Sequence, residues 1–182
     1  NVLATQRLID KASKNNIKHF IFASSGSVYG IKNEEQVTED LDLVPISYYN
    51  KTKMVAERVV LSYKDKMSVH CIRPATVCGY SPRMRLDVTV NMFVKQAFKD
   101  KKITVFGGKQ IRPNINIKDL INVYIHFIDN QNLNSGCYNA GFENLSIIEI
   151  AKIVSNRIPS EILISDTKDE RSYRQNSDKL LA

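Results

Sequence analysis

The sequence predicts an α/β protein whose strands run parallel. Over the first 74 residues the periodic segments alternate helix, strand, helix, strand, an order that implies parallel strands joined by right-handed crossovers. Both strand-like runs are apolar and rich in β-branched or aromatic residues, as buried parallel strands are. With 182 residues, 43% of them apolar, the chain can bury a core, but its apolar runs fall far short of the roughly 20 residues of a membrane-spanning helix. The composition therefore predicts one to two globular domains and excludes a membrane-embedded protein.

The first four elements follow from local patterns. Apolar residues recur at a spacing close to 3.6 over residues 2–12, which predicts a helix that ends in the polar run after it. Residues 18–25 form an apolar run that opens into a serine-rich loop, which predicts a buried strand. The polar stretch 30–46 should be irregular. A helix follows over residues 48–61 with Ser47 as its N-cap, and a strand over residues 68–72 ends where Pro74 prevents a central strand from continuing.

Beyond Pro74 the loops become longer, which predicts a boundary between two lobes near residue 77. The expected elements there are, in order, a loop at 79–85, a helix near 87–100, a strand over 103–106, a turn at Arg112–Pro113, a helix over 119–128, a strand over 137–139, a helix opened by a capping box of Ser146 and Glu149, a strand over 162–164, and a helix capped by Ser177.

Charge and cysteine content narrow the functional classes. The net charge is +7, but the 17 lysines are spread along the chain, so nucleic acid is not an expected partner. A phosphate-bearing small molecule would satisfy some of these charges equally well. Cys71, Cys78 and Cys137 are widely spaced without metal-ligand motifs, so we expect no metal site, no disulfide and a reducing compartment, the cytoplasm.

The chain opens in what the pattern predicts to be a helix, without an initiator Met or leader, so we expect a piece of a longer protein.

Tyr49 and Lys53 lie four residues apart on a predicted helix, where one turn stacks an ammonium beside a phenol. A fixed cation favours the ionised form of a phenol, which then is a usable base. By chance alone roughly 0.7 such pairs are expected, so a solvated helix face is an equal alternative for the pair in isolation. The strand that ends at Ser24 and Ser25 lies one crossover earlier, and sites in parallel sheets sit at the carboxyl ends of strands. We therefore expect Ser25 to share a substrate hydroxyl with Tyr49.

With these residues in place, the sequence resembles the extended short-chain dehydrogenase/reductase family, in its nucleotide-sugar epimerase and dehydratase branch. The matching stretches, in consistent order over nearly the whole chain, are residues 24–30, 45–53 with Glu57, 72–77, 105–108, 112–119 and 138–141. The resemblance implies the C-terminal half of a Rossmann-type doubly wound parallel sheet over residues 1–77 and a smaller α/β substrate-binding lobe over residues 78–182. The family's Gly-x-x-Gly-x-x-Gly turn is missing from the seven glycines of this sequence. This chain alone is therefore expected to bind the cofactor poorly and to be inactive.

The resemblance also implies roles for individual residues. Tyr49 would take a proton from a sugar hydroxyl, Lys53 would hold the nicotinamide ribose, and Ser25 would donate a hydrogen bond to the reacting oxygen. The cofactor, NAD with NADP not excluded, would contact Ser24, Tyr49, Lys53 and Pro74. The nucleotide-diphosphate sugar would contact Ser25, Thr76, Asn91, Val105, Phe106 and Arg112, with Phe106 equally open to core packing. Further phosphate candidates are Arg83, Arg85, Arg171 and Arg174.

The residues after Ser25 separate the subclasses. Sugar dehydratases of the family carry Asp and Glu where this chain has Gly26 and Ser27, so dehydration is disfavoured. We prefer an NAD-dependent epimerase; the alternatives are a nucleotide-sugar ketoreductase that uses NADPH and a non-catalytic cofactor- or substrate-binding protein on the same fold. Thr76 stands where many members have Asn, which leaves the substrate class open. The family also implies a homodimer through the helices near residues 2–15 and 48–65.

Overall fold

The computed structural model describes residues 1–167 and 172–182 and confirms the α/β class. The helices are α1 Val2–Lys14, α2 Tyr48–Leu61, α3 Thr89–Asp100, α4 Ile117–Asp129, α5 Ile147–Arg157 and α6 Asp178–Leu181. The strands are β1 His19–Ala23, β2 Ser68–Pro74, β3 Thr76–Cys78, β4 Lys102–Phe106, β5 Ile111–Asn116, β6 Gly136–Ala140, β7 Glu143–Ser146 and β8 Glu161–Ser165. A short 3-10 turn, Gly26–Tyr29, follows β1.

The strands form three small sheets. The first has the order β1-β2-β6 and is parallel throughout. In the second, β5 pairs with β3 in parallel and with β7 antiparallel, and in the third β4 pairs with β8 in parallel. The chain leaves the first sheet at Ala75 and returns to it with β6. The boundary between two lobes near residue 77 stays a prediction. Strand β6 comes after that boundary in the sequence but belongs to the sheet that precedes it.

The first sheet is covered by helices on both of its faces. On one face α1 and α2 bury Ile9, Ala56 and Val60 against Phe22 and Cys71. On the other face α4 packs its apolar side against Ile72 of β2 and the ring of Tyr138 of β6. Two-sided cover explains why β2 and β6 are buried at consecutive positions and not at alternate ones. A separate core joins α3 and α5 to the third sheet.

Two predicted caps are confirmed, and the third, Ser177, is confirmed in its position at the N-cap but not as a side-chain cap. The Ser47 side chain accepts from the Asn50 N–H at the start of α2, and Ser146 and Glu149 form the reciprocal capping box of α5. Ser177 makes no side-chain cap on α6, because its hydroxyl donates to the carbonyl oxygen of Gly141 and accepts from the Gly141 N–H.

The predicted turn at Arg112–Pro113 is also wrong. Both residues lie inside β5, which lies between β3 and β7. A proline removes one N–H from a strand, and here the remaining pairs on the two sides of β5 hold the ladder together. The three-residue β3 and the four-residue β7 escape prediction since such short strands carry too little periodicity. The helix expected from residue 119 begins at Ile117, where the Asn116 side chain accepts from the Lys118 N–H.

A segment late in the chain, residues 172–177, ties the two larger sheets together, and we call it the crossing segment. The Gln175 side chain donates to the carbonyl oxygen of Arg73 over 2.6 Å, and the Ile111 N–H donates to the hydroxyl of Ser172 over 2.9 Å. Val37 of the loop before α2 pairs with Gln175 as an isolated β-bridge. In the described part of the chain no helix has the length and apolar content needed to cross a bilayer.

Candidate active site

A cleft of about 440 Å³ opens at the carboxyl ends of β1 and β2. Five of the predicted site residues line it together: Ser24, Ser25, Tyr49, Pro74 and Thr76. They come from the loop after β1, from the first turn of α2, from the end of β2 and from the start of β3. The position agrees with the general rule that ligands of parallel sheets bind beyond the carboxyl ends of strands.

Tyr49 and Lys53 face the same region. The Lys53 ammonium nitrogen lies 5.8 Å from the centre of the Tyr49 ring and 5.0 Å from that of Phe22. The ammonium also donates a 2.6 Å hydrogen bond to the carbonyl oxygen of Ala23, which fixes the side chain to the end of β1. Partial burial lowers the pKa of Lys53, while the charge of Glu57 opposes that change. Tyr49 is 51% exposed, so its phenol is open to a ligand in the cleft.

The serine loop is internally hydrogen bonded. Ser24 is buried, and its hydroxyl donates to Glu57 Oε1 over 2.5 Å. The Ser25 and Ser27 hydroxyl oxygens lie 2.7 Å apart, and Ser27 donates to Asn50 Oδ1 over 2.8 Å. Hydrogen bonds thus connect Ser25 through Ser27 to Asn50 of α2, and Ser25 is the end of this series that faces the cleft.

A buried polar network supports the site from below. Glu57 receives two hydrogen bonds from the Arg73 guanidinium, Nε to Oε1 at 2.9 Å and Nη2 to Oε2 at 2.8 Å. Arg73 Nη1 donates to the Tyr29 hydroxyl over 2.7 Å, and Tyr29 donates to Asn139 Oδ1 over 2.8 Å. Burial raises the pKa of Tyr29 to about 12, so Tyr29 stays a neutral donor. The network links α2, β2, β6 and the 3-10 turn. Its members all lie in the stretches that resemble the family, but no sequence signal indicated that they contact one another.

The remaining predicted substrate residues lie elsewhere. Phe106 and Arg112 line a separate cavity of about 180 Å³ beside α3, and Phe106 is 55% exposed, so it is not a core side chain. Asn91 is buried and holds the loop before α3, accepting from the Gly79 N–H and donating to the Arg85 carbonyl oxygen. Val105 is completely buried in the core of the third sheet.

Arg85 and Tyr173 are among the other residues that line the cleft, and of these two only Arg85 was singled out from the sequence. Arg85 was predicted as a phosphate candidate; Arg83 and Arg174, predicted with it, are exposed, and Arg171 lies outside the described residues. Tyr173 reaches the cleft from the crossing segment, and no sequence signal pointed to it.

Arg85 is oriented by Asp87. Its Nε and Nη2 atoms donate to the two carboxylate oxygens of Asp87 over 3.0 and 2.7 Å. The hydrogen bond to Asp87 is the main reason why the pKa of Arg85 is raised, and Tyr49 contributes to the same change across the cleft. Within the described residues Nη1 of Arg85 has no hydrogen-bond partner, so this nitrogen remains available to a ligand. Across those residues no three His, Cys, Asp or Glu side chains gather in a way that could hold a metal ion.

Comparisons with known proteins give a consistent result. A family model described as the NAD dependent epimerase/dehydratase family matches residues 1–141. A Bacillus subtilis protein named as an uncharacterized UDP-glucose epimerase is 30% identical over 158 residues, which are 86% of this chain and 50% of that protein. The chain thus spans about half the length of the curated relatives that it matches first.

Two solved structures are also similar. MoeE5 in complex with UDP-glucose and NAD superposes with a TM-score of 0.86 and 25% identity, covering 98% of this chain and 62% of MoeE5. UDP-glucuronic acid 4-epimerase from Bacillus cereus, in complex with UDP-glucuronic acid and NAD, has a TM-score of 0.84 and 28% identity, covering 98% of this chain and 59% of that enzyme.

Proposed function

We propose that this chain, which belongs to the NAD-dependent epimerase/dehydratase family, carries the acid/base residues and the substrate lobe of a nucleotide-sugar epimerase. The observation that carries the proposal is the convergence of Ser25, Tyr49 and Thr76 in one cleft, with Lys53 one helical turn from Tyr49. These side chains come from three segments that are separate in sequence. If Tyr49 and Lys53 were only part of a solvated helix face, there would be no reason for the serine loop to line the same cleft as the Tyr49 phenol.

The residues present fit the nicotinamide end of NAD. Lys53 uses one of its three N–H donors on Ala23 within the described residues, which leaves donors for ribose hydroxyls. Pro74 lines the cleft at the end of β2 and offers no N–H that a ligand would have to satisfy. When bound, NAD supplies the acceptor for the hydride that leaves the sugar carbon.

The side chains of this chain supply the proton chemistry. Tyr49 takes the proton of the reacting sugar hydroxyl at its phenolic oxygen and returns it after the sugar has been reduced again. Lys53 holds its positive charge 5.8 Å from the centre of the Tyr49 ring, one helical turn away. Ser25 orients the sugar, and the wall formed by Ala75, Thr76 and Val77 limits its movement.

The surroundings of Gly26 favour an epimerase over a dehydratase. A β-carbon at this position would lie 2.8 Å from the Gln175 side-chain oxygen and 3.2 Å from the Pro74 carbonyl oxygen. A side chain that could act as an additional acid would fit there only if the Gln175 side chain moved. Ser27, the next residue, is hydrogen bonded to Asn50. Elimination of water needs an extra acid and base, and neither position supplies one.

The test uses the natural-length protein with a panel of nucleotide sugars and a catalytic amount of NAD, with products followed by NMR. Conversion of one sugar epimer to the other without net change of the cofactor is expected. Stoichiometric consumption of NADPH would favour the ketoreductase instead. Binding of the nucleotide sugar without any turnover would favour a non-catalytic binding protein.

We further propose that the sugar carries a carboxylate. Among the described residues that line the cleft, Arg85 is the only charged one, and its Nη1 atom remains available while Asp87 holds the other side of the guanidinium. Arg85 shares the cleft lining with the hydroxyls of Ser25, Ser27 and Thr76, and guanidinium groups suit carboxylates. MoeE5 has also been solved with UDP-glucuronic acid and NAD, and the similar Bacillus cereus enzyme acts on that sugar nucleotide.

The variant Arg85→Met tests the proposed carboxylate separately from the proposed epimerase activity. Loss of a charge-assisted hydrogen bond should lower kcat/KM for UDP-glucuronic acid by about 10- to 100-fold and leave that for UDP-glucose within about 2-fold. Arg83→Met, two residues away and exposed, is the matched control and should change neither value. Equal losses for both substrates would mean that Arg85 contacts the shared diphosphate.

The finer points of assembly and location are proposals too. We propose a homodimer through α1 and α2, which pack on each other and expose Leu3, Leu8, Tyr48 and Val55. We also propose a cytoplasmic location, supported by three cysteines that are all free thiols.

A further inference from the structure

A chain of three side chains links the serine loop to α2 directly beside Tyr49. Ser25 Oγ lies 2.7 Å from Ser27 Oγ, and Ser27 Oγ donates to Asn50 Oδ1 over 2.8 Å. Asn50 follows Tyr49 on α2 and is 6% exposed. Its backbone N–H donates to the Ser47 hydroxyl that caps the helix. The chain therefore starts in the cleft and ends at a buried acceptor that is fixed to the first turn of α2.

The number of hydrogens fixes the direction of this chain. Each serine hydroxyl has one hydrogen. Ser27 uses its hydrogen on Asn50, so the hydrogen between the two serine oxygens belongs to Ser25. The Ser27 N–H also donates to Ser25 Oγ, over 3.3 Å. Ser25 thus directs its own hydrogen into the loop and presents a lone pair to the cleft.

We infer that Asn50 is a positioning residue that sets this direction and makes Ser25 a hydrogen-bond acceptor for a hydroxyl of the sugar. The inference rests on the proposed epimerase function, and the direction is opposite to the donor role that the family resemblance implies for Ser25. A sugar hydroxyl next to the reacting one donates its hydrogen to Ser25 and holds the sugar at a fixed angle to Tyr49. The single hydrogen of the reacting hydroxyl is then left to point at the phenolic oxygen.

The Asn50 side chain is not needed as a helix cap, since Ser47 already caps α2. Because Asn50 is buried, water does not easily replace its carbonyl oxygen as the acceptor for Ser27. Without that acceptor, Ser27 is free to donate to Ser25, the chain reverses and the Ser25 hydrogen turns into the cleft. Asn50 is not among the described residues that line the cleft, so the loss of its acceptor reaches the sugar through Ser25, and this dependence is open to test.

The experiment measures kcat and KM of the natural-length protein with a nucleotide sugar that the wild type epimerises. Asn50→Ala and Ser27→Ala should each lower kcat by about 10- to 100-fold with little change in KM, as misaligned substrates do. The double variant should be no slower than either single one, since both break the same chain. In a Ser25→Ala background both substitutions should change kcat by less than about 2-fold. Asn50→Asp, whose carboxylate only accepts, should stay within about 3-fold of the wild type.

Lys51→Ala, on the exposed side of the same turn, is the matched control and should leave kcat unchanged. An Asn50→Ala effect that persists in the Ser25→Ala background would overturn the inference, and so would an Asn50→Asp variant as slow as Asn50→Ala. If Asn50→Ala melts at a temperature far below that of the wild type, its kinetics are set aside. The effect of Ser27→Ala on kcat, measured in the wild-type and in the Ser25→Ala background, then tests the inference. Absence of wild-type turnover with every nucleotide sugar overturns the proposed function itself, whereas turnover with Ser25-independent effects overturns only this inference.

Discussion

Tyr49 is the residue on which the proposed chemistry depends most directly. Its phenol is half exposed at the cleft and has the Lys53 ammonium 5.8 Å from its ring centre. Tyr49→Phe removes the oxygen that takes the proton and leaves the ring in place. We expect kcat to fall by about 10²- to 10⁴-fold, the usual range for a positioned acid/base, with KM for the nucleotide sugar changed little. Steady-state kinetics with the best substrate of the panel provides the measurement.

Tyr48→Phe is the natural control for that experiment. Tyr48 precedes Tyr49 on the same helix, but it is 89% exposed and points into solvent, with Lys51 over its ring. The same chemical change there should leave kcat within experimental error. Comparable losses in the two variants would mean that α2 as a whole, and not the phenolic oxygen of Tyr49, is sensitive.

Sequence reasoning reached those site residues that belong to one local pattern. Tyr49 and Lys53 share a helical period, and Ser25 marks the end of a strand, so their placement in one region could be predicted from spacing and from the rule for parallel sheets. Tyr173 and the Arg73 partnership with Glu57 could not, because they depend on contacts between segments that no period connects. The split of Phe106 and Arg112 into a second cavity likewise depends on how α3 packs.

At the scale of elements, the buried pair of Glu57 and Arg73 joins α2 to β2. The two side chains are 1% and 5% exposed and share two hydrogen bonds. Glu57→Met leaves the guanidinium buried without its charge partner, and we expect it to lower the free energy of unfolding by about 3–5 kcal/mol. The double variant Glu57→Met with Arg73→Met should be less destabilised than Glu57→Met alone, since no charge then remains buried. Urea unfolding followed by circular dichroism measures both.

The exposed pair of Lys14 and Asp10 on α1 provides the contrast. It has a similar distance, 2.8 Å, but both side chains face solvent. Lys14→Ala should leave the urea midpoint unchanged within error, because water and salt screen such pairs. If the double variant Glu57→Met with Arg73→Met is as unstable as Glu57→Met alone, the expectation for the buried pair is contradicted. The attraction between Glu57 and Arg73 would then exceed the free energy that is needed to remove both charges from water.

Two histidines link β1 and β2 and should make stability depend on pH. His70 Nε2 donates to the Leu133 carbonyl oxygen over 3.2 Å, so its Nδ1 accepts the 2.7 Å hydrogen bond from His19 Nε2. Burial, with smaller contributions from the charges of His19 and Lys179, lowers the pKa of His70, and burial lowers that of His19 too. The unfolded chain therefore binds protons at a higher pH than the folded one, near the ordinary value of 6.5.

It follows that the stability contributed by the neutral pair is fully present above about pH 6.5 and is lost as the pH falls toward the lowered folded pKa values. Between pH 7.5 and pH 5.5 the free energy of unfolding should fall more steeply for the wild type than for His70→Gln. The exposed His126→Gln variant should follow the wild-type slope. Parallel curves for wild type and His70→Gln would contradict the assignment.

The elements themselves were predictable in proportion to their length and regularity. Helices α1 and α2 show a full apolar period, and both begin within a residue of the predicted position. Strand β5 was predicted as a turn since Pro113 is a breaker by local rules, yet pairing on both sides outweighs the one lost donor. Ser177 has the residue type of a cap, but Gly141 lies close enough to take its hydroxyl.

For the whole molecule, the outer faces of α1 and α2 predict self-association. Leu3, Leu8 and Tyr48 are 70%, 62% and 89% exposed on two helices that pack on each other. We expect the natural-length protein to be a dimer by light scattering. Leu8→Glu should shift it to monomer, because a charge would be buried at the interface. Phe98→Glu on α3, which is 73% exposed and far along the chain, should leave the dimer intact. A wild type that stays monomeric at every concentration would refute the proposal.

The crossing segment has a consequence for how the protein reaches its native state. Gln175 contacts Arg73 across 102 residues, and Asn176 contacts Gln36 across 140 residues. Contacts of such long range form slowly, because the entropy of closing the intervening loop opposes them until other structure has shortened it. The sheet of β1 and β2 can assemble early, whereas the wall that holds Tyr173 closes only when these distant segments meet. On a ribosome, α2 would thus be folded well before the cleft beside it exists.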